Sequence, residues 1–239
     1  MQHRYVFVGG LHRSGTSLLA RLIAAHPQVA SINDAPVPEN EGCYLQGAIP
    51  HTALHGRPMH FATDPDQHLI EGHPLDTLAT RQRLEADWAP WFDPSRPWRV
   101  EKSPVNLTRT RLYQQLFPLS QSILILRHPE AVAAAVGKWV DAPAGVLIDH
   151  WIAAHHRLAQ DIRHLHAVMI LRYEDLVADP AGVMARVFGF LSLPAITAPE
   201  ALRNGNDDYL HEAPMTLRQS REVERWGYDH GLSVRPHVS

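Results

Sequence analysis

Two hydrophobic rhythms alternate along the chain. Short stretches with strand character stand at 5–10 ("YVFVGG"), 98–102 ("WRVEK"), 122–127 ("SILILR") and 167–172 ("AVMILR"). The most apolar of them carry no polar side to give to water, so they read as strands covered on both faces. Between them apolar residues recur with helical spacing at 16–25, 75–92, 106–117 (stopped by Pro118), in "EAVAAAVGKWV" after the "HP" at 128–129, at about 145–160 and at 181–191. Strands alternating with helices predict an α/β fold of three layers, a central mostly parallel sheet flanked by helices. No repeat or domain boundary interrupts the pattern, so residues 1–239 are read as a single domain. Residues 31–74 are rich in Pro, Gly, His and Asp; a stretch that long without periodicity is expected to hold short helical turns and to cover a site.

Ligands in such sheets lie beyond the carboxyl ends of the strands. That rule collects Gly9 to Ser17, Lys102, Arg127 and Tyr173 along one edge. The first of these segments, "GGLHRSGTS", follows a strand and opens a helix. Gly10 and Gly15 have the separation of a P-loop, whose backbone N–H groups wrap phosphate, and Ser17 stands where its hydroxyl belongs. The fold expected is therefore P-loop-like. Yet Thr16 replaces the lysine, and the cation has moved to Arg13 at the crown of the turn. An anion is still welcome at the helix N-terminus.

A second displacement sharpens the picture. Phosphoryl transfer on such a loop uses Mg²⁺ held by a carboxylate after a neighbouring strand, but "SILILR" ends in Arg127, His128 and Pro129. A cation in that place speaks for a second phosphate bound directly by protein. A donor with phosphate at two places and a transferred group of low charge fits both facts: 3′-phosphoadenosine 5′-phosphosulfate (PAPS). Fixed Arg, Lys and N–H donors stabilise sulfuryl transfer with no metal.

Composition sets limits. Lys and Arg total 22 against 25 Asp and Glu, a net charge of −3, which gives no basic field for nucleic acid or a membrane surface. Cys43 is the one cysteine, so an internal disulfide is excluded and a reducing, cytoplasmic setting is expected; no run has the length of a signal peptide or a membrane span. Five histidines (His51, His55, His60, His68 and His73) share one stretch, but no HExxH pattern is completed and no metal site is expected.

From about Tyr5 to Pro194 the chain resembles the PAPS-dependent sulfotransferases, and bacterial relatives of the tyrosylprotein branch in particular. "RSGTSLL" is similar to the family's 5′-phosphosulfate loop, "LILRHPEAVAAAV" to its 3′-phosphate strand and helix, "RYEDLVADPAGVMARVFGFLSLP" to the segment that follows, and "VEKSPVNLTRTRLYQQLFP" to the tyrosylprotein branch. The resemblance implies that Arg13, Ser14, Gly15, Thr16 and Ser17 grip the 5′-phosphosulfate, Arg127 the 3′-phosphate and Tyr173 the adenine. It implies that Lys102 reaches the sulfuryl group or the bridging oxygen, and that Arg13 and Lys102 act in catalysis. One position departs: the family's serine eight residues after the arginine is Ala135, and Lys138 or the arginines Arg218, Arg221 and Arg225 are the candidates to compensate.

The acceptor's base is sought in "PENEGCYLQ". Glu41 is preferred because Gly42 lets the backbone turn its carboxylate inwards; Glu39 comes second, and His51 or His55 serve if the chain follows the histidine-using cytosolic branch. A small-molecule, carbohydrate or tyrosine-type hydroxyl is the acceptor. Trp88, Trp91 and Phe92 either stack on it or belong to the core. Two rivals remain: a small-molecule kinase with a degenerate loop, and a nucleotide-binding protein of this fold without chemistry.

Overall fold

The computed structural model describes residues 3–50, 60–197, 199, 201–209 and 212–235. Five parallel strands make the central sheet: β1 (Arg4–Gly9), β2 (Val29–Ser31), β3 (Trp98–Lys102), β4 (Gln121–Leu126) and β5 (Val168–Arg172), in the order β2-β3-β1-β4-β5. The chain builds outwards from β1 in both directions, so the crevice at its carboxyl end is the expected site of a ligand.

Period-two alternation explains how each strand is covered twice. Tyr5 and Phe7 of β1 face an aromatic cluster with Trp88, Tyr113 and Phe117, while Val6 and Val8 face Leu19, Ile23, Val183 and Val187 on the other side. Ile123 and Ile125 of β4 join that second cluster, and Leu124 and Leu126 face a third with Val132, Ile148 and Trp151. The helices are α1 (Thr16–Ala24), a single turn α2 (His60–Thr63), α3 (Leu78–Trp88), α4 (Thr110–Leu116), α5 (Pro129–Gly137), α6 (Ala144–Asp161), α7 (Tyr173–Ala178), α8 (Pro180–Phe190) and α9 (Leu217–Val223).

Local chemistry sets the boundaries. The helix expected at 75–92 starts at Leu78, because the Thr77 side chain caps it by accepting from Thr80 N at 3.1 Å. The helix expected at 106–117 divides into a 3₁₀ turn, Pro104–Thr108, and α4. His128 caps α5, with Pro129 in the first helical position where a missing N–H does no harm. The stretch 31–74 holds the short turns Pro38–Asn40, Gly42–Tyr44, His60–Thr63 and Pro65–Gln67 among its described residues. Four elements had no separate signal: β2, α7, α9 and the two-stranded hairpin of β6 (Tyr228–Asp229) and β7 (Ser233–Val234). Among the described residues, no helix is long and apolar enough to cross a membrane.

Candidate active site

Beyond Gly9 the chain turns through a loop whose backbone is left-handed at Arg13 (φ 67°) and Gly15 (φ 100°). Gly15 is required twice over. Its φ is rare for other residues, and a Cβ there would lie 2.8 Å from Tyr173 Cδ2. The turn delivers Thr16 and Ser17 as the first residues of α1, both bordering the crevice, in the turn whose N–H groups have no partner within the helix. Ser14 is fully buried, and its Oγ has no partner. A buried hydroxyl without a bond is destabilising, and this one sits in the turn directly before Gly15, Thr16 and Ser17, which border the crevice.

Arg127, the residue after β4, is buried among its partners. Nε donates to Asn206 Oδ1 at 2.7 Å, Nη1 donates to Arg13 O at 2.9 Å, and the guanidinium lies 4.4 Å from the Tyr173 ring centre and 5.5 Å from that of Tyr209. Burial lowers its pKa, yet an arginine stays charged at neutral pH. Among the described residues it forms no ion pair, and Nη2 is buried without a partner. Two polar atoms left over, Ser14 Oγ and Arg127 Nη2, fit an anionic ligand with charge at two places. The Tyr173 hydroxyl is already engaged: it accepts from Gly205 N at 2.8 Å and donates to Arg203 O at 3.2 Å.

The other end of the crevice belongs to β3. Pairing Val8 with Lys102 sets Lys102 beside the end of β1. Lys102 Nζ donates to Glu41 Oε1 at 3.2 Å, and their side chains are only 7% and 9% exposed. Burial pushes the Glu41 carboxyl up to about 7, with Lys102 pulling in the opposite direction. The neighbouring Glu101 points to the other face and holds the loop that carries Glu41: it accepts from Gly42 N at 3.0 Å, Ser103 Oγ at 2.6 Å and Asn106 Nδ2 at 2.6 Å.

The Gly42 backbone is therefore gripped rather than flexible. Its φ is not left-handed; glycine is needed because a Cβ would stand 2.6 Å from Glu101 Oε1. That corrects the reason for favouring Glu41, while the carboxylate does turn inwards. Glu39 is exposed and accepts from Ser17 Oγ at 3.1 Å. His51 and His55 lie outside the described residues.

A cavity of about 300 Å³ joins the two ends, bordered by Arg13, Ser17, Glu39, Glu41, Arg127 and His12. The Arg13 side chain is exposed at its rim, 5.0 Å over the Trp139 ring. His12 was missed from sequence; burial first, and Lys102 second, hold its imidazole down to about 4, so it is neutral in the cavity. Asn206 and Tyr209 were missed as well, since nothing in the polar tail signals that it folds back over Arg127. Tyr209 packs on Ala135, where the serine was absent, and carries Lys138 Nζ 4.6 Å from its ring centre. Of the other candidates to compensate, Arg218 pairs with Asp149 at 2.5 Å, Arg225 stacks on Trp226 and Arg221 is exposed. Trp88 and Phe92 are buried in the aromatic core with Trp91 packed against it, which settles them as core. Among the described residues, no group of three or more His, Cys, Asp or Glu is placed to hold a metal ion.

Known proteins share this architecture. The sulfotransferase domain of the Synechococcus PCC 7002 olefin synthase superposes with a TM-score of 0.57 at 18% identity, over 95% of this chain and 96% of its own. A sulfotransferase from Alicyclobacillus acidocaldarius gives 0.55 at 17%, over 95% and 92%; one from Mycobacterium tuberculosis H37Rv gives 0.56 at 16%, over 95% and 77%. At such identities the likeness is one of fold. No curated protein sequence matches the chain. The model of the sulfotransferase family, however, matches residues 5–197, well over half of the 239, and the chain belongs to that family.

Proposed function

We propose that the chain transfers a sulfuryl group from PAPS to a hydroxyl acceptor by in-line displacement. The observation that carries this reading is Arg127: a buried guanidinium free of any ion pair among the described residues, with Nη2 to spare, supplied from the end of β4 and tied to the α1 loop only through Arg13 O. Two anion sites suit a nucleotide with phosphate on both the 3′ and 5′ positions. A kinase would need a carboxylate near the place where Arg127 stands.

Arg127 would hold the 3′-phosphate, and Ser14, Gly15, Thr16 and Ser17 the 5′ end. When bound, the donor supplies a sulfuryl group of lower charge than a phosphoryl group. Glu41 is the base. Its Oε1 is taken by Lys102 and its Oε2 meets only the weak Cys43 thiol donor at 4.0 Å, so Oε2 receives the acceptor's proton, and a carboxyl near 7 is suited to accept one at neutral pH. Lys102, Arg13 and the loop N–H groups face the charge that develops on the departing oxygen. The intact Lys102–Glu41 pair favours an enzyme over a binding protein that has lost its chemistry.

Thermal unfolding with adenosine 3′,5′-bisphosphate, AMP and ATP tests the donor. A ligand at a hundredfold its Kd adds about 2.7 kcal/mol to apparent stability. The bisphosphate should raise Tm at concentrations where AMP and ATP do not; equal shifts from all three would reject it.

A further inference from the structure

Beside the cavity of about 300 Å³ lies a larger one of about 760 Å³, bordered by Arg21, Asn33, Asn40 and Lys102. Ser17 and Glu39 line both, and so form the wall between them. The Glu39 side chain could extend into solvent. Instead its carboxylate turns back to α1, where Ser17 Oγ donates to Oε2 at 3.1 Å. A helix N-terminus attracts anions, and this carboxylate stands on Ser17, one of the residues assigned above to the donor's 5′ end.

The backbone is shaped to put it there. Glu39 and Asn40 are both left-handed (φ 52° each), a region that residues with a Cβ avoid. Two bonds hold the turn: Asn40 Oδ1 accepts from Ala35 N at 3.0 Å, and Glu41 N donates to Pro38 O at 3.1 Å. A strained conformation kept in this way points to a use for it. The same turn continues into Glu41, so any movement of Glu39 begins two residues from the base.

Resting on the donor assigned above, we infer that Glu39 is an internal latch. Its carboxylate is held on Ser17 at the mouth of the anion turn and is displaced when the donor's 5′ group arrives, because two negative groups repel each other in one small site. Once released, Glu39 turns to the larger cavity. Lys102 borders that cavity, which gives an acceptor its way to the Lys102–Glu41 pair. Donor therefore binds before acceptor, and the acceptor meets a carboxylate that was not offered to it earlier.

The test is calorimetric titration of adenosine 3′,5′-bisphosphate into the wild type, Glu39→Gln and Glu39→Ala. Removing a competing charge should tighten binding by about tenfold in both variants. A purely structural part in the turn would loosen it. In stopped-flow mixing, the wild-type rate should level off with nucleotide concentration while the Glu39→Ala rate rises linearly. If the wild type binds and both variants bind equally or more weakly, the latch is overturned and the donor stands. If none of the three proteins binds, donor and latch fall together.

Discussion

At its Arg127 end the active-site crevice is made of strand termini and neutral contacts; at its Lys102 end it is made of a loop and opposed charges. Arg127 follows a strand buried on both faces, is gripped by a backbone carbonyl and an amide, and lies against two aromatic rings. None of these partners cancels its charge. Lys102 is the last residue of a strand, but its Nζ is given to Glu41, on a loop that depends on Glu101 for its position. The first arrangement keeps a positive charge available for an anion. The second suits the base proposed above, since a buried carboxylate beside an ammonium shifts its pKa with small changes in the pair. In the proposed mechanism, binding and proton transfer are thus separated by the kind of neighbour each cation has.

Replacing Lys102 with Ala should produce the largest effect. Turnover is expected to fall about a thousandfold, with affinity for adenosine 3′,5′-bisphosphate kept within about fivefold. The acidic limb of kcat/KM, placed near pH 7 by Glu41 in the wild type, should move to higher pH. The sign follows from the charge: Lys102 lowers the Glu41 pKa, so without it Glu41 stays protonated to a higher pH. Equal losses of turnover and affinity would make Lys102 a donor-binding group and erase the contrast between the two ends.

Arg127→Ala should come next, acting on the opposite quantity. Loss of a charged donor pair weakens adenosine 3′,5′-bisphosphate by about a hundredfold and brings its affinity close to that of AMP. Retained preference for the 3′-phosphate, measured by calorimetry, would take Arg127 out of that role. The smallest effect belongs to Ala135→Ser. Tyr209 covers that position, so the added hydroxyl should change bisphosphate affinity by less than about threefold, a neutral hydrogen bond being worth only about 1 kcal/mol net. A gain of tenfold would show that the phosphate reaches residue 135 and that Tyr209 moves aside.

Much of the Arg127 end is legible in the chain. β1, β4 and β5 announce themselves because strands buried on both faces are apolar at most positions, and the residue after each then falls on the ligand edge. The glycine at 15 is legible for the same local reason, a loop that must turn left-handed before a helix. Less is legible where the signal is short or distant. β2 has three residues, too few for alternation to show. α7 starts at Tyr173 directly after β5, helped by Glu174 and Asp175 in its first turn and by Arg172, which donates to Asp175 at 2.7 and 2.9 Å.

By itself, the sequence determined the parallel α/β layering, the P-loop-like turn and the cation at the end of β4, because hydrophobic period and turn chemistry act between near neighbours. Tertiary structure alone decided that Glu41 meets Lys102 rather than solvent, that Asn206 and Tyr209 close over Arg127, and that Glu39 turns to Ser17. These contacts join segments far apart in the chain. Their strength comes from burial, which raises the price of an unpartnered polar group and shifts a carboxyl near neutrality, and burial exists only once the layers have packed.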